Sequence, residues 1–183
     1  MNEEKSNRFL TIPNLISIFR ILLIFPLALC IWHNHLNIVL VLLLVTIASD
    51  FIDGIIARRF NQISEWGKIL DPLADKLAIG TILIVLYFKQ QVPLWLVIIV
   101  IGRDLAIIVA GLLLAKKYRH VIPSNFLGKM TANVLAVMLI SYIFNIEILE
   151  KIFTPLAILF IFLSSFNYLK KSIRINKTGE QIM

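Results

Sequence analysis

Residues 36–59 read LNIVLVLLLVTIASDFIDGIIARR. From Leu36 to Ser49 the run is almost wholly apolar, yet Asp50 and Asp53 interrupt it before it reaches Arg58 and Arg59. A bilayer core about 30 Å thick takes about 20 residues of helix, so the stretch has spanning length with two carboxylates inside it. A carboxylate at mid-helix costs several kcal/mol even on the most forgiving insertion scales. Elsewhere the chain has the same character. Of its 183 residues, 59% are hydrophobic and 16% charged, against about 25% charged in soluble domains. With a mean hydropathy of +0.88, a water-soluble domain and intrinsic disorder are both excluded.

Six apolar spans are expected, at Asn14–Trp32, Leu36–Ile56, Gly67–Phe88, Val92–Ala115, Phe126–Phe144 and Phe153–Leu169. The fold class is all-α: a polytopic integral membrane protein forming a single membrane domain over residues 1–183. Residues 2–12 are polar but carry Phe9, Leu10 and Ile12, which suits a short interfacial helix before Pro13. Lys5, Arg8, Arg58, Arg59, Lys68, Lys116, Lys117, Arg119, Lys129, Lys170, Lys171, Arg174 and Lys177 fall on alternate loops and at both ends. The intervening loops hold only Lys89 and Lys151. The positive-inside rule then places both termini in the cytoplasm. The net charge of +7 is read as this topology signal rather than as a nucleic-acid surface. Glu3, Glu4 and Arg20 argue against a cleaved signal peptide. The lone Cys30 excludes an internal disulfide. Trp32, Tyr87, Phe88 and Trp95 suit an outer aromatic belt, and Trp66 and Tyr118 an inner one.

The intramembrane acids form a pattern. Asp50 and Asp53 are three apart and Asp71 and Asp75 four apart, so each pair shares a helix face. Asp50 lies about 12 Å from Arg58 along its helix, and Asp75 about 12 Å from Gly67, at 1.5 Å per residue. The two helices are joined by a short loop and expected to be antiparallel, so the carboxylates can meet at one depth near the cytoplasmic surface. Such a cluster suits hard divalent cations (Mg²⁺, Mn²⁺ or Ca²⁺), and the absence of nearby His or Cys argues against zinc. Two metals about 4 Å apart are a common device for phosphoryl transfer. Arg58 and Lys68 stand at the rim for phosphate, while Gly54, Ala57 and Gly67 let a ligand approach closely. Pro72 is expected to start or kink the third helix. The competing readings are ion bridges to Lys76, Arg58 and Arg59, and a cation channel or carrier.

The pattern resembles the signature of the CDP-alcohol phosphatidyltransferase family, D-x-x-D-G-x-x-A-R, eight residues, then G-x-x-x-D-x-x-x-D. Asp50, Asp53, Gly54, Ala57, Arg58, Gly67, Asp71 and Asp75 match it without departure. Pro13, Asn14, Ser17 and Arg20 are similar to the family's P-N-x-x-[ST]-x-x-R opening. The resemblance implies transfer of a phosphatidyl group from CDP-diacylglycerol to an alcohol, with release of CMP. It implies two divalent cations, Mg²⁺ or Mn²⁺, held by Asp50, Asp53, Asp71 and Asp75, with Asp75 as general base. It further implies a CDP site lined by Gly54, Ala57, Arg58 and Gly67, and a homodimer in the cytoplasmic membrane with its active site on the cytoplasmic side.

The acceptor is read from the later spans. Arg103 and Asp104 lie mid-span, and adjacent residues do not face one another along a helix. Arg103 is thus a candidate for a phosphate on the acceptor, and an ion pair with a motif aspartate is its structural alternative. Lys129 could read the same phosphate, or snorkel to the interface. Family members that use glycerol 3-phosphate typically carry R-E in the fourth span and G-K-x-x-T at the start of the fifth. This chain is similar, with Arg103-Asp104 and Gly128-Lys129 followed by Thr131. The R-D form also resembles the family's cardiolipin synthases, whose acceptor is phosphatidylglycerol. Glycerol 3-phosphate is the first reading and phosphatidylglycerol the second. His33, His35 and His120 lie in loops and are assigned no role.

Overall fold

The computed structural model describes the backbone of residues 12–59, 67–118 and 126–178, and the side chains of residues 14–49, 73–109 and 127–170. The expected interfacial helix before Pro13, Trp66 and His120, and the side chain of Tyr118, lie outside these ranges. Among the described residues there are six helices: α1 (Ile12–Trp32), α2 (Leu36–Arg59), α3 (Gly67–Phe88), α4 (Leu94–Tyr118), α5 (Phe126–Phe144) and α6 (Glu147–Thr178). The chain divides into two compact units, Met1–Gln91 and Val92–Met183, with α1–α3 in the first and α4–α6 in the second.

The expected spans and the helices agree to within a few residues except at the sixth. It begins at Glu147, not Phe153, and continues to Thr178. Glu147, Glu150 and Lys151 read as loop because they are charged. Glu147 and Glu150 instead occupy the first turn of α6, where carboxylates meet the positive end of the helix dipole. Lys151 follows one turn on and bonds Glu147 at 3.2 Å. α3 begins at Gly67, so Pro72 falls in its second turn rather than starting it. Pro72 lacks the amide that would otherwise bond the Lys68 carbonyl.

Polarity runs from outside in. Large apolar side chains such as Leu22, Phe25, Leu44, Ile98, Ile148 and Phe162 are exposed, while Asn14, Ser17, Arg20, Asp104, Thr131, Ser141 and Ser164 are buried. Water would reverse this arrangement; hydrocarbon favours it, because polar groups then find partners between helices. Among the described residues three helical segments are long and apolar enough to cross a bilayer: Asn14–Trp32, Leu127–Phe144 and Glu147–Lys170. The described residues Leu36–Ser49 of α2 form a shorter apolar segment.

In the first unit α1 packs along both α2 and α3. Arg20 of α1 reaches Asp75 of α3, and further along both helices Lys89, just past α3, reaches Ile31 of α1. These two contacts run in the same order, so α1 and α3 are parallel. The Trp32–Leu36 hairpin makes α2 antiparallel to both, as expected of α2 and α3. In the second unit α5 and α6 pack closely, and α4 also touches α6.

Three helices end on the same device. Asn34, Gln90 and Asn145 have φ of 59°, 59° and 53°. After each one the chain closes a Schellman motif: His35 N–H bonds Cys30 O at 2.9 Å, Gln91 N–H bonds Leu86 O at 3.0 Å, and Ile146 N–H bonds Ser141 O at 2.9 Å. At the first of these ends the Lys89 ammonium donates to Ile31 O at 2.7 Å and to Asn34 Oδ1. A cation thereby meets the free carbonyls at the negative end of α1. Partial burial pushes the Lys89 ammonium below the usual lysine range. Trp32 and Phe88, the last residues of α1 and α3, are half or more exposed at this end, as an interface belt requires.

Two stability changes follow, both read as thermal midpoints in detergent. Lys89→Met removes both bonds and is expected to destabilise by about 1–2 kcal/mol. Gln90→Gly relieves a left-handed conformation that a side chain resists and is expected to stabilise by about 1 kcal/mol.

Candidate active site

α1 opens with an inward polar face. Asn14, Ser17 and Arg20 recur every third residue and are all buried, and spacing by three keeps them on one side of the helix. Further along the same helix the buried positions turn apolar, with Leu27 and Ile31. The buried face of α1 is thus polar at its opening and apolar beyond.

Arg20 carries this polarity across to α3. Its Nη1 donates to Asp75 Oδ1 at 3.1 Å, with the arginine side chain 4% exposed and the aspartate 61%. Beside the pair lies a cavity of about 30 Å³, bordered by Arg20 and Ile24 of α1, Thr46 of α2, and Ala74, Asp75 and Ala78 of α3. Its size suits about one water molecule. Small residues on α3 leave this space open, and the larger side chains of α1 close it. The Thr46 hydroxyl donates to Leu42 O at 2.8 Å, and Ser49 Oγ donates to Thr46 O at 2.8 Å. Both hydroxyls are thereby satisfied on their own helix, as hydrocarbon demands.

Thr46 gives the register of the motif on α2. Asp50 and Asp53 stand four and seven residues beyond it, on the same helix face, about 6 and 10 Å further along the axis. On α3, Asp71 stands one turn before Asp75 on the same face. Asp50, Asp53, Gly54, Ala57 and Arg58 all lie on α2 and Gly67 and Asp71 on α3; their side chains fall outside the described residues. Asp75 is therefore the motif carboxylate whose contacts are visible. Its oxygens are hard donors and its side chain is largely exposed, the ligand chemistry that suits a divalent cation of the Mg²⁺ or Mn²⁺ class.

The structure corrects one expectation. Arg103 and Asp104, taken as unable to face one another, form an ion pair: Arg103 Nη1 donates to Asp104 Oδ1 at 2.6 Å. Neighbouring Cα–Cβ vectors do diverge on a helix, but the arginine side chain is long enough to curl back across that angle. Asp104 is buried and Arg103 largely so, with side chains 12% and 14% exposed. Arg103 Nη2 also donates to Ser164 Oγ of α6 at 3.0 Å, which ties α4 to α6. Its buried Nε finds no acceptor among the described residues. Lys129 lies in the first turn of α5 and is exposed. Thr131 is fully buried; its hydroxyl bonds Leu127 O at 2.7 Å and reaches Phe160 O at 3.3 Å. This residue fastens α5 to α6. Sequence reasoning gave no role to Arg20, Thr46 or Ser164. Arg20 carried a signal, being a charge isolated in an apolar span. The two hydroxyl residues carried none.

The sequence model of CDP-alcohol phosphatidyltransferases matches residues 10–163, which include every residue of the motif and its opening. The chain belongs to the CDP-alcohol phosphatidyltransferase family. It is 34% identical to the CDP-diacylglycerol–glycerol-3-phosphate 3-phosphatidyltransferase of Bacillus subtilis over 146 residues, 76% of this chain and 75% of that protein. With the enzyme of the same name from Aquifex aeolicus it shares 33% identity over 177 residues, 91% of this chain and 98% of that one. It is also 35% identical to the cardiolipin synthase (CMP-forming) of Streptomyces coelicolor over 138 residues, 68% of this chain and 61% of that protein. As a member of this family the chain is a phosphatidyltransferase.

The Arg103 cluster makes a sharp stability test. Asp104→Ala leaves a buried guanidinium without its carboxylate and is expected to destabilise by about 3–5 kcal/mol. Ser164→Ala removes one hydrogen bond and is expected to cost about 1 kcal/mol. Thermal midpoints of the purified variants in detergent check both.

Proposed function

We propose that the chain transfers the phosphatidyl group of CDP-diacylglycerol to glycerol 3-phosphate, forming phosphatidylglycerophosphate and releasing CMP. The observation that carries this reading is the complete family motif on α2 and α3, with Asp75 exposed beside a buried polar layer. The Bacillus and Aquifex relatives named for this reaction support the choice of acceptor. Asp50, Asp53, Asp71 and Asp75 would hold two Mg²⁺ or Mn²⁺ ions, which supply charge neutralisation at a diphosphate when bound. Gly54, Ala57 and Gly67 present small side chains to the nucleotide, and Arg58 supplies a charge-assisted hydrogen bond to its phosphates. Asp75 accepts the proton of the acceptor hydroxyl as its oxygen bonds the phosphatidyl phosphorus. The bond from that phosphorus to the bridging oxygen then breaks, and CMP departs with the electron pair.

Arg103 and Lys129 are assigned to the phosphate of the acceptor. Two of the Arg103 nitrogens are committed to Asp104 and Ser164, and its buried Nε is the donor suited to an incoming phosphate oxygen. The enzyme is taken to cross the cytoplasmic membrane six times within one domain, with both termini and the active site on the cytoplasmic side, and to act as a homodimer. The second reading keeps the donor and takes phosphatidylglycerol as acceptor, yielding cardiolipin; the Streptomyces relative and the Arg103-Asp104 pair favour it.

Purified protein supplied with CDP-diacylglycerol and, in parallel, glycerol 3-phosphate, phosphatidylglycerol, serine or inositol tests the assignment. CMP release is expected with glycerol 3-phosphate, dependent on Mg²⁺ or Mn²⁺ and abolished by chelation. Asp71→Asn is expected to lower the rate at least ~10²-fold. Product from phosphatidylglycerol alone selects the second reading. Cation flux into vesicles without lipid substrate, and no CMP release, would mark a carrier.

A further inference from the structure

We infer that the end of α6, residues 170–178, is a docking surface for anionic phospholipid headgroups of the bilayer in which the protein sits. The surface lies on a helix that carries no motif residue, and it does not depend on which alcohol the enzyme uses.

α6 is longer than a bilayer requires. Its 32 residues measure about 48 Å at 1.5 Å per residue, against a hydrocarbon core of about 30 Å. Lys151 and Lys170 have no charged residue between them and stand about 28 Å apart along the axis. They therefore bracket that core, within the segment Glu147–Lys170 that is apolar enough to cross it. Beyond Lys170 the helix runs on to Thr178, about 12 Å further. A headgroup layer about 5–7 Å deep on each side is crossed within that length.

The two ends of this helix differ in charge. At the first, Lys151 bonds Glu147, and Glu150 stands beside them. At the other, Lys170, Lys171, Arg174 and Lys177 follow one another with no acid between residues 151 and 179. Spacings of four and three place positions 170, 174 and 177 on one helix face, with 171 next to it. The Lys170 ammonium lies 4.5 Å from the centroid of the Phe166 ring, and both residues are exposed. Among the described residues it meets no carboxylate. A cation resting on an aromatic ring one turn nearer the apolar segment is how a lysine settles at an interface, and its remaining protons are available to phosphate oxygens.

The fold itself accounts for little of this charge. The helix dipole favours cations only in the last turn, which covers Lys177, whereas Lys170 and Lys171 stand about two turns earlier. Nor do the neighbouring helices of the unit answer it. α5 holds no acid, and α4 holds only Asp104, which bonds Arg103. α5 is also too short to reach the basic end. Thr131 meets Phe160, so the start of α5 at Phe126 is level with about residue 165, at equal rise along two antiparallel helices. Four cations directly after a spanning segment, at headgroup depth, attract anionic lipid.

Purified full-length enzyme in phosphatidylcholine vesicles, with a trace of spin-labelled phosphatidylserine or spin-labelled phosphatidylcholine, tests the inference. Phosphatidylserine is anionic and is neither donor nor acceptor in either reading above. Electron paramagnetic resonance separates lipid held at the protein from free lipid, and the two labels together give the preference. One cation near the surface favours an anionic headgroup by about fivefold, and a preference of about that size is expected. It should fall towards unity in 1 M salt, where the Debye length is about 3 Å. Neutralising the end with Lys170→Gln, Lys171→Gln, Arg174→Gln and Lys177→Gln together is expected to lower it to about twofold or less, with the protein still eluting as wild type. The pair Lys170→Gln and Lys171→Gln should give an intermediate value, and serves if the fourfold variant does not fold. Lys116→Gln with Lys117→Gln, in the last turn of α4, is the control and should change the preference less. An equal fall in that control overturns the inference, because the preference would then follow net charge. An unchanged preference in the neutralised variants overturns it also and leaves the surface to a soluble acidic partner. So does a wild-type protein that does not distinguish the two lipids. No turnover is measured, so the outcome is separate from that of the transfer reading.

Discussion

A guanidinium cannot stand alone in an apolar helical bundle, and the first unit is organised around that constraint. Arg20 sits on the helix that touches both of its neighbours, almost wholly withdrawn from its surroundings. It bonds Asp75 of α3, and with the Lys89–Ile31 contact further on this sets α1 and α3 parallel. The Lys89 clamp at the opposite end of the same two helices holds that register from the other side. With α1 and α3 so aligned, the short Trp32–Leu36 hairpin brings Thr46 into the layer of Arg20 and Asp75. The motif aspartates of α2 follow from there by helical spacing alone.

The same economy appears in the second unit, with hydroxyls in place of charges. Thr131 and Tyr142 of α5 bond to Phe160 O and Thr154 of α6, and Ser164 of α6 receives Arg103 of α4. Between helices bathed in lipid such bonds are modest individually, but they select one rotation of each helix over others. The buried polar residues and exposed apolar ones are two aspects of this solution.

Two arginines inside the apolar helices meet different surroundings. Arg103 is folded onto its own neighbour and a facing serine, with its Nε buried and without an acceptor among the described residues. Arg20 is directed at an exposed aspartate of the signature. The P-N-x-x-S-x-x-R opening, which in the sequence is a string of spaced letters, becomes in three dimensions the inner wall against which the motif helices pack.

Much of this could be read from the residues in order. Helix bounds at Gly67–Phe88 and Phe126–Phe144 coincide with the expected spans, because apolar length and turn chemistry are local. The exception, the start of α6, arose because Glu147 and Glu150 look like loop residues until the helix dipole is considered. The shared faces of Asp50 with Asp53 and of Asp71 with Asp75 follow from spacing, for the same local reason. The left-handed caps at Asn34, Gln90 and Asn145 were not foreseen, since no glycine marks them. The pairings lay beyond the sequence altogether. Arg20 meets Asp75 across 55 positions of chain and Arg103 meets Ser164 across 61. Helical periodicity says which face a residue occupies, whereas its partner depends on the rotation and register of another helix, and only the packed bundle sets those.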